Sequence, residues 1–409
     1  MKLEGDKSLS HRLLMIASLI QGDSILRNIS TSKDVYSTIE CLQKCNIKID
    51  YKDEKTTIFK SDFIAPEAIL DCGNSGSTLR MLMGLLHGQS ISAKFDGDSS
   101  LQKRPMNRIM IPLKKMGATF ELSNGKFPII MHSTNNQSIK YSEKTKSAQV
   151  KTSLIFAGLG SNESSFISYN KATRDHTEKI MESLGFDIKV KNKITIRKNN
   201  VNIGMDINIP GDLSSAAFVI AATVLTPNSN VIIKNVLYNK TRMTFIYTLI
   251  KMGAKISIKN ISKEECGIQS CDIYIKYSKS LTGVKIKGDD VIGMIDEIPI
   301  FSIIGCFASG ATNIQNIKEL KVKESNRINA IYQNLYDMGA DIFQDDDSML
   351  IKGGKRLHNT TINHFNDHRI AMSFEILRLV IGEDMSYEYS NIIDISFPGF
   401  YRTMDRLLS

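Results

Sequence analysis

The segment LKKMGATFEL, residues 113–122, reads as a helix that stops and a strand that starts at once. Gly117 sits where a helix needs a left-handed residue to end, and alternating strand residues follow it. The same pattern returns in MESLGFDIKV (181–190), LIKMGAKISI (249–258) and LYDMGADIFQ (335–344), with a weaker relative in LQKCNIKIDY (42–51). Gly117, Gly185 and Gly253 follow one another at intervals of 68 residues. One helix–glycine–strand unit is common in α/β proteins, whereas its recurrence at a fixed period marks an internal repeat.

Working outward, most copies show a second strand after a short polar turn, as in KFPIIM, KITIRK, CDIYIKY and SMLIKG. Upstream of each lies another helix that opens with small or acidic residues: 6–22, 73–88, 147–158, 211–225, 296–310 and 367–382. Between the two helices runs a short strand, in SILRNIS, SAKFDG, SFISYN, NVIIKNV, TNIQNI and SYEYSNI. The unit is therefore helix, strand, helix and usually two strands. Six openings predict two domains of three repeats, 5–208 and 209–409, joined near INIPGD, with residues 1–4 counted in the second. The last copy has its second helix in FYRTMDRLLS and then the chain stops. Met1 lies five residues before Asp6, too few for two strands at about 3.3 Å per residue, so an incomplete sixth sheet, or a sequence that starts late, is expected.

A length of 409 residues with 42% hydrophobic content is ample for two ordinary cores. No apolar run approaches the roughly 20 residues of a membrane span, and no signal peptide opens the chain, so a cytoplasmic protein is expected. The six cysteines form no CxxC pair and read as reduced thiols. His364 and His368 in HFNDH have a metal-like spacing but lie where a loop enters a helix, so no metal site is expected. The net charge of +9 comes from dispersed lysine without a basic stripe interleaved with aromatics. That speaks against nucleic acid and suits a small anionic substrate.

Basic residues recur at one place in the repeat, before or within the first turn of the second helix: Lys33, Arg104, Arg174, Arg242, and Lys323 with Arg327. Equivalent positions point to equivalent places, and a cleft receiving them from both domains would be strongly positive. The first helices open on GDKS, GNSGS, KSAQ and GDLSS, where free backbone N–H groups favour anions. GDLSS has no accompanying basic residue and reads as ordinary capping. In GDKSLSHR, by contrast, Lys7, Ser8 and Arg12 can share one face. The order of its residues rules out a Walker A loop. DEIPI places Asp296 and Glu297 at a helix start, and KVKESNR places Lys323, Glu324 and Arg327 within one turn. Such carboxylates beside cations serve either as proton acceptors or as plain caps and ion pairs.

In order along nearly the whole chain, GDKSLSHR, CGNSGSTLR, DGDSSLQKRPM, SAQVKTS, RDHTE, PGDLSSAAF, DEIP, KESNRI, NDHRIAM and SFPGF resemble the 5-enolpyruvylshikimate-3-phosphate synthases. SAQVK and RDHTE are more similar to the divergent bacterial subgroup. The resemblance implies the two-domain enolpyruvyl transferase fold, an inside-out α/β barrel of six βαβαββ repeats, three per domain. It also implies transfer of the enolpyruvyl group of phosphoenolpyruvate to the 5-hydroxyl of shikimate 3-phosphate, releasing phosphate, by addition and elimination in an interdomain cleft. Such an enzyme serves aromatic amino acid and chorismate biosynthesis, needs no metal or organic cofactor, and is expected to be a cytoplasmic monomer binding neither nucleic acid nor membrane.

Carried over by position, the resemblance assigns shikimate 3-phosphate to Lys7, Ser8, Arg12, Ser147, Gln149, Arg174, Asp296 and Lys323. It assigns phosphoenolpyruvate to Lys7, Asn74, Gly76, Arg104, Gln149, Arg327 and Arg369. The catalytic roles fall to Asp296, which takes the hydroxyl proton, and to Glu324 or Lys7, which manage protonation of the methylene carbon. Two positions depart from the family pattern. A lysine usual before the final SFP is replaced by Asp394 and Ile395, and the glycine before DHRIAM by Asn366, a residue tolerant of left-handed backbone. The sister transferase acting on UDP-N-acetylglucosamine resembles a KN opening and a loop cysteine, which this chain lacks. A noncatalytic basic repeat scaffold is the remaining alternative, and it predicts salt-sensitive binding indifferent to small phosphates.

Overall fold

The computed structural model describes residues 1–408 apart from 53–54, 124 and 387, and of residue 408 the backbone alone. It divides into two compact units. One comprises Gly5–Ile209 with Glu264–Ile268, and the other Met1–Glu4, Pro210–Lys263 and Gln269–Ser409.

The first unit holds helices α1 (Lys7–Leu19), α2 (Lys33–Lys44), α3 (Gly76–Gly88), α4 (Asn107–Lys115), α5 (Ala148–Gly158) and α6 (His176–Ser183). Helices α1, α3 and α5 are the first helices of the three repeats and start at side-chain caps. Asp6, Ser75 and Ser147 accept from the N–H groups of Leu9, Thr78 and Val150, which fixes where each helix begins. These helices are buried nearly all round, which is why they read as apolar rather than amphipathic. The contact of α3 with α5 is made by backbone. A Cβ added to Gly84 would lie 2.1 Å from the Ser153 carbonyl oxygen, and one on Gly88 2.4 Å from that of Phe156. Helices α2, α4 and α6 carry one buried face each.

Each repeat of this unit adds a four-stranded sheet in one order. A short leading strand runs parallel to the strand between the helices, and that strand pairs antiparallel with the far strand of the closing hairpin. The sets are Leu70–Asp71, Ala93–Asp96, Lys126–His132 and Thr119–Ser123, then Lys140–Ser142, Ser165–Ser168, Ile194–Ile196 and Ile188–Val190. The third set joins distant segments. Asp206–Asn208 leads Ser24–Arg27, with Ile25 opposite Asp206 and Arg27 opposite Asn208, followed by Lys55–Ile58 and Ile49–Lys52.

The second unit repeats the scheme with α7 (Leu213–Leu225), α8 (Thr244–Lys251), α9 (Asp289–Gly293), α10 (Ile298–Cys306), α11 (Arg327–Asp337), α12 (His368–Val380), α13 (Ser390–Ile393) and α14 (Phe400–Leu408). Its sheets are Asn230–Tyr238, Gln269–Lys276 and Lys255–Lys259, and Lys285–Ile286, Ala311–Gln315, Ser348–Lys352 and Asp341–Gln344. Helices α7, α10 and α12 pack on one another in its core. The stop glycines Gly117, Gly185, Gly253 and Gly339 all adopt positive φ, from 87° to 100°. In the weaker copy Asn46 takes the same role at φ 70°.

The sixth copy departs from expectation. The strand read in SYEYSNI is not formed: residues 390–393 are α13, and Tyr387 lies outside the described residues. Backbone N–H and C=O groups of a strand need a partner ladder, and no described strand runs beside this segment, so it satisfies itself locally as a turn of helix. At the other end the Met1 amino group donates to the Ile232 carbonyl at 2.7 Å, and the Lys234 N–H donates to that of Met1 at 2.9 Å. Met1 is thus held beside the Asn230–Tyr238 strand, while the Glu4 carbonyl accepts from the Asp212 N–H. Among the described residues no helix is long and apolar enough to cross a membrane. All six cysteines are free, and burial pushes the thiols of Cys45, Cys271 and Cys306 up to about 12.

Candidate active site

In the first unit the start of α1 gathers cations. Lys7 Nζ lies 2.7 Å from Asp34 Oδ2 at the start of α2. Arg174 Nη1 donates to Ser8 Oγ at 2.8 Å, while Arg12 donates through Nη1 to the Ser8 carbonyl at 2.8 Å and through Nε to Thr177 Oγ1 at 3.0 Å. Two arginines from different repeats therefore converge on one serine at a helix start, where the macrodipole adds to their field. Lys33, the same repeat position in the first copy, stays exposed.

A second group forms at the start of α3. Arg104 Nη2 donates to Asn74 Oδ1 at 2.6 Å and to Ser100 Oγ at 3.2 Å, and Asn74 is anchored in turn on Asp98. A Cβ on Gly76 would lie 2.9 Å from Arg80 Nη1 and 3.2 Å from Arg104 Nη1, so the missing side chain is what lets both guanidiniums close over this helix start. Gln149, on the first turn of α5, accepts from Arg80 Nη1 at 2.7 Å and donates to Ser77 Oγ at 2.9 Å. Ser147 caps α5 two residues earlier. Arg80 was not among the sequence candidates. Its signal lay in STLR, four residues after Gly76 and hence on the same helix face.

Below both groups runs a buried chain of hydrogen bonds, His11 Nδ1 to Thr38 Oγ1, Thr38 to Thr78 and Thr78 to Ser75, each 2.7 Å. Burial, then the charges of Lys7 and Arg12, hold the His11 imidazole well below its ordinary pKa, so it is neutral. The unfolded chain protonates this histidine near pH 6.5 and the folded one does not. Its share of stability is therefore full above pH 6.5 and is lost as pH falls toward the depressed folded value. Urea unfolding of the wild type and His11→Gln at pH 7.5 and 5.5 should show the wild type losing about 1.4 kcal/mol more than the variant.

In the second unit Arg327, at the first position of α11, is fully buried and gathers three carboxylates. It forks onto Asp367 through Nε (2.8 Å) and Nη2 (3.1 Å), donates to Glu324 Oε2 at 2.7 Å, and brings Nη1 within 3.7 Å of Asp296 Oδ1. Lys323 Nζ stands 3.5 Å from the same Asp296 oxygen. Burial works against ionised Asp367, but the adjacent Arg327 outweighs it and holds the carboxyl below the usual carboxylate range. Asp367 also caps α12, and the next cation on that helix, Arg369, donates from Nη1 to the Asp296 carbonyl at 2.8 Å. Asn366 adopts φ 54° just before. Asp296, Lys323, Glu324, Arg327 and Arg369 are thus brought together.

Two readings of local sequence are corrected here. GDLSS does have a basic companion: Arg242 Nη2 donates to Ser214 Oγ at 2.7 Å, a pairing across 28 residues that no local pattern announces. Glu297 does not cap α10, because its side chain turns inward.

Repeated helix–strand units with arginine and carboxylate clusters at their helix starts define the enolpyruvyl transferase class of fold. The enolpyruvyl transferase NikO from Streptomyces tendae matches all of this chain with a TM-score of 0.77, covering 94% of that structure at 14% identity. The chain belongs to the EPSP synthase (3-phosphoshikimate 1-carboxyvinyltransferase) family, whose model matches residues 1–404. The 3-phosphoshikimate 1-carboxyvinyltransferase of Persephonella marina is 38% identical across the whole chain and 96% of its own length. That of Thermoanaerobacter sp. strain X514 is 39% identical over 98% of this chain and 96% of its own. The structure of EPSP synthase from Acinetobacter baumannii superposes with a TM-score of 0.85 at 32% identity, covering all of this chain and 95% of that one.

Proposed function

We propose that these clusters carry the family's reaction in this chain, the transfer of the enolpyruvyl group from phosphoenolpyruvate to the 5-hydroxyl of shikimate 3-phosphate. In this reading Lys7, Ser8, Arg12, Ser147, Gln149 and Arg174 hold shikimate 3-phosphate, with Asp296 and Lys323 at its reacting end. Phosphoenolpyruvate is held by Lys7, Asn74, Gly76, Arg104, Gln149, Arg327 and Arg369, and Arg80 supports that group through Gln149. Asp296 accepts the 5-hydroxyl proton as the oxygen bonds to C2 of phosphoenolpyruvate. Glu324 or Lys7 delivers a proton to the methylene carbon, giving a tetrahedral adduct. Loss of a proton from the new methyl group then expels phosphate as the carbon–oxygen bond breaks and the enol double bond re-forms.

The observation that carries this reading is Asp296, a carboxylate set between Lys323 and Arg327 whose own carbonyl holds Arg369. A proton acceptor and the cations for a developing charge are thereby fixed before substrate arrives. Phosphate release should require both phosphoenolpyruvate and shikimate 3-phosphate, and should not occur with UDP-N-acetylglucosamine in place of the latter. Absence of release with both substrates would overturn the reading.

Arg104 tests the phosphoenolpyruvate group. It donates to the uncharged side chains of Asn74 and Ser100, neutral hydrogen bonds whose loss costs about 1 kcal/mol each. Arg104→Ala should raise the phosphoenolpyruvate KM about tenfold or more while shifting the melting temperature by only a few degrees. A melting loss as large as the affinity loss counts against a binding role.

A further inference from the structure

We propose that Glu297 is a positioning residue of this reaction: its buried carboxylate holds the Arg369 guanidinium in place against a second buried arginine, Arg242. The inference rests on reading Arg369 as a phosphoenolpyruvate ligand, and it assigns a role to a residue outside the substrate-contacting set.

Glu297 occupies the N-cap position of α10, where a carboxylate is expected to accept from the first free N–H groups, yet its side chain makes no cap hydrogen bond. It points into the protein instead and is 3% exposed. There Oε1 accepts from Ser214 Oγ at 2.5 Å, and the same oxygen stands 3.7 Å from Arg242 Nη2 and 3.8 Å from Arg369 Nη1. Ser214 is the relay, since it accepts from Arg242 Nη2 at 2.7 Å while donating to Glu297. Arg242 and Arg369 are 2% and 7% exposed, so two buried guanidinium charges have this carboxylate set against both.

The geometry also ties Glu297 to the reacting end. Arg369 Nη1, the nitrogen nearest Glu297, is the one that donates to the Asp296 carbonyl. Two successive residues thus act on one nitrogen, Asp296 by a hydrogen bond from its backbone carbonyl and Glu297 by charge at 3.8 Å. Without the Glu297 charge, the carboxylate set against both guanidiniums is gone, and Arg369 moves or loses its fixed orientation. A carboxylate is costly to bury, and this one is offset by the two guanidiniums it stands against, so its charge and theirs are mutually dependent.

The test is steady-state kinetics on Glu297→Gln, Arg369→Lys, their double variant and Ser214→Ala. Glutamine keeps the shape and the acceptor for Ser214 but removes the charge. Glu297→Gln should raise the phosphoenolpyruvate KM about tenfold, leave the shikimate 3-phosphate KM within about twofold, and change kcat by less than about threefold. The double variant should be little worse than Arg369→Lys alone, because both changes act through one guanidinium. Ser214→Ala, which leaves both charges, should raise the phosphoenolpyruvate KM about threefold and decides the matter if Glu297→Gln does not fold. An unchanged phosphoenolpyruvate KM, equal rises for both substrates, or fully additive losses would each overturn the proposal. If Arg369→Lys itself leaves that KM unchanged, the reading of Arg369 fails and the role of Glu297 falls with it. If Arg369→Lys weakens phosphoenolpyruvate and Glu297→Gln does not, only the role of Glu297 falls.

Discussion

Asp296→Asn is expected to lower kcat about 10³-fold while leaving the KM of phosphoenolpyruvate within about threefold of wild type. The asparagine has the same shape, keeps an oxygen facing Lys323 and Arg327, and leaves the backbone carbonyl that holds Arg369 untouched. What it cannot do is take a proton. A positioned general base contributes about 10²- to 10⁴-fold, so the loss should fall almost entirely on the chemical step. Initial rates of phosphate release, with both substrates varied, measure it. Retention of more than about a tenth of kcat would place the base elsewhere, with Glu324 the next carboxylate in reach of the same cations.

Arg327→Met should have the largest effect on the fold, with a loss of about 3–5 kcal/mol at pH 7. The arginine is fully buried and leaves behind three carboxylates, of which Asp367 is itself fully buried. In the wild type, Arg327 keeps the folded pKa of Asp367 below its ordinary value. That contribution is present above the unfolded pKa, about 3.9, and is lost as pH falls through the folded one. In the variant, burial and the Glu324 charge are left opposed by His368 without Arg327, so the Asp367 pKa rises and the carboxyl takes up a proton at milder acidity. The deficit should therefore narrow between pH 7 and pH 5. Urea unfolding at the two values reads this directly, and a deficit independent of pH would mean that Asp367 is not the uncompensated group.

The parts of this fold legible in the sequence are those written in backbone geometry. Gly117, Gly185, Gly253 and Gly339 could be read because a left-handed helix stop leaves few residue choices, and Asp6, Ser75, Ser147, Asp212 and Asp367 because a cap must sit next to its helix. The leading strands could not be read. Leu70–Asp71 and Lys285–Ile286 have two residues each, too few for any period to show. SYEYSNI shows the opposite failure, a run with strand character that finds no ladder to join. At the site, motif order brought Ser8 with Arg12 and Arg327 with Glu324, each pair within one stretch of sequence. The Ser214–Arg242 and Arg369–Glu297 pairs were hidden because only tertiary packing makes them neighbours.

The pairing of Ser24–Arg27 with Asp206–Asn208 has a bearing on how the chain is made. Residues 24–27 leave the ribosome long before their partner exists, and until residue 208 emerges the sheet they belong to has an open edge. Unpaired edges recruit whatever strand is nearby. For most of its synthesis the first unit must therefore be shielded or remain unfinished, and this sheet waits on a segment made much later. A fold of short local repeats, which ought to form piece by piece, is thereby turned into one that closes at a single late moment.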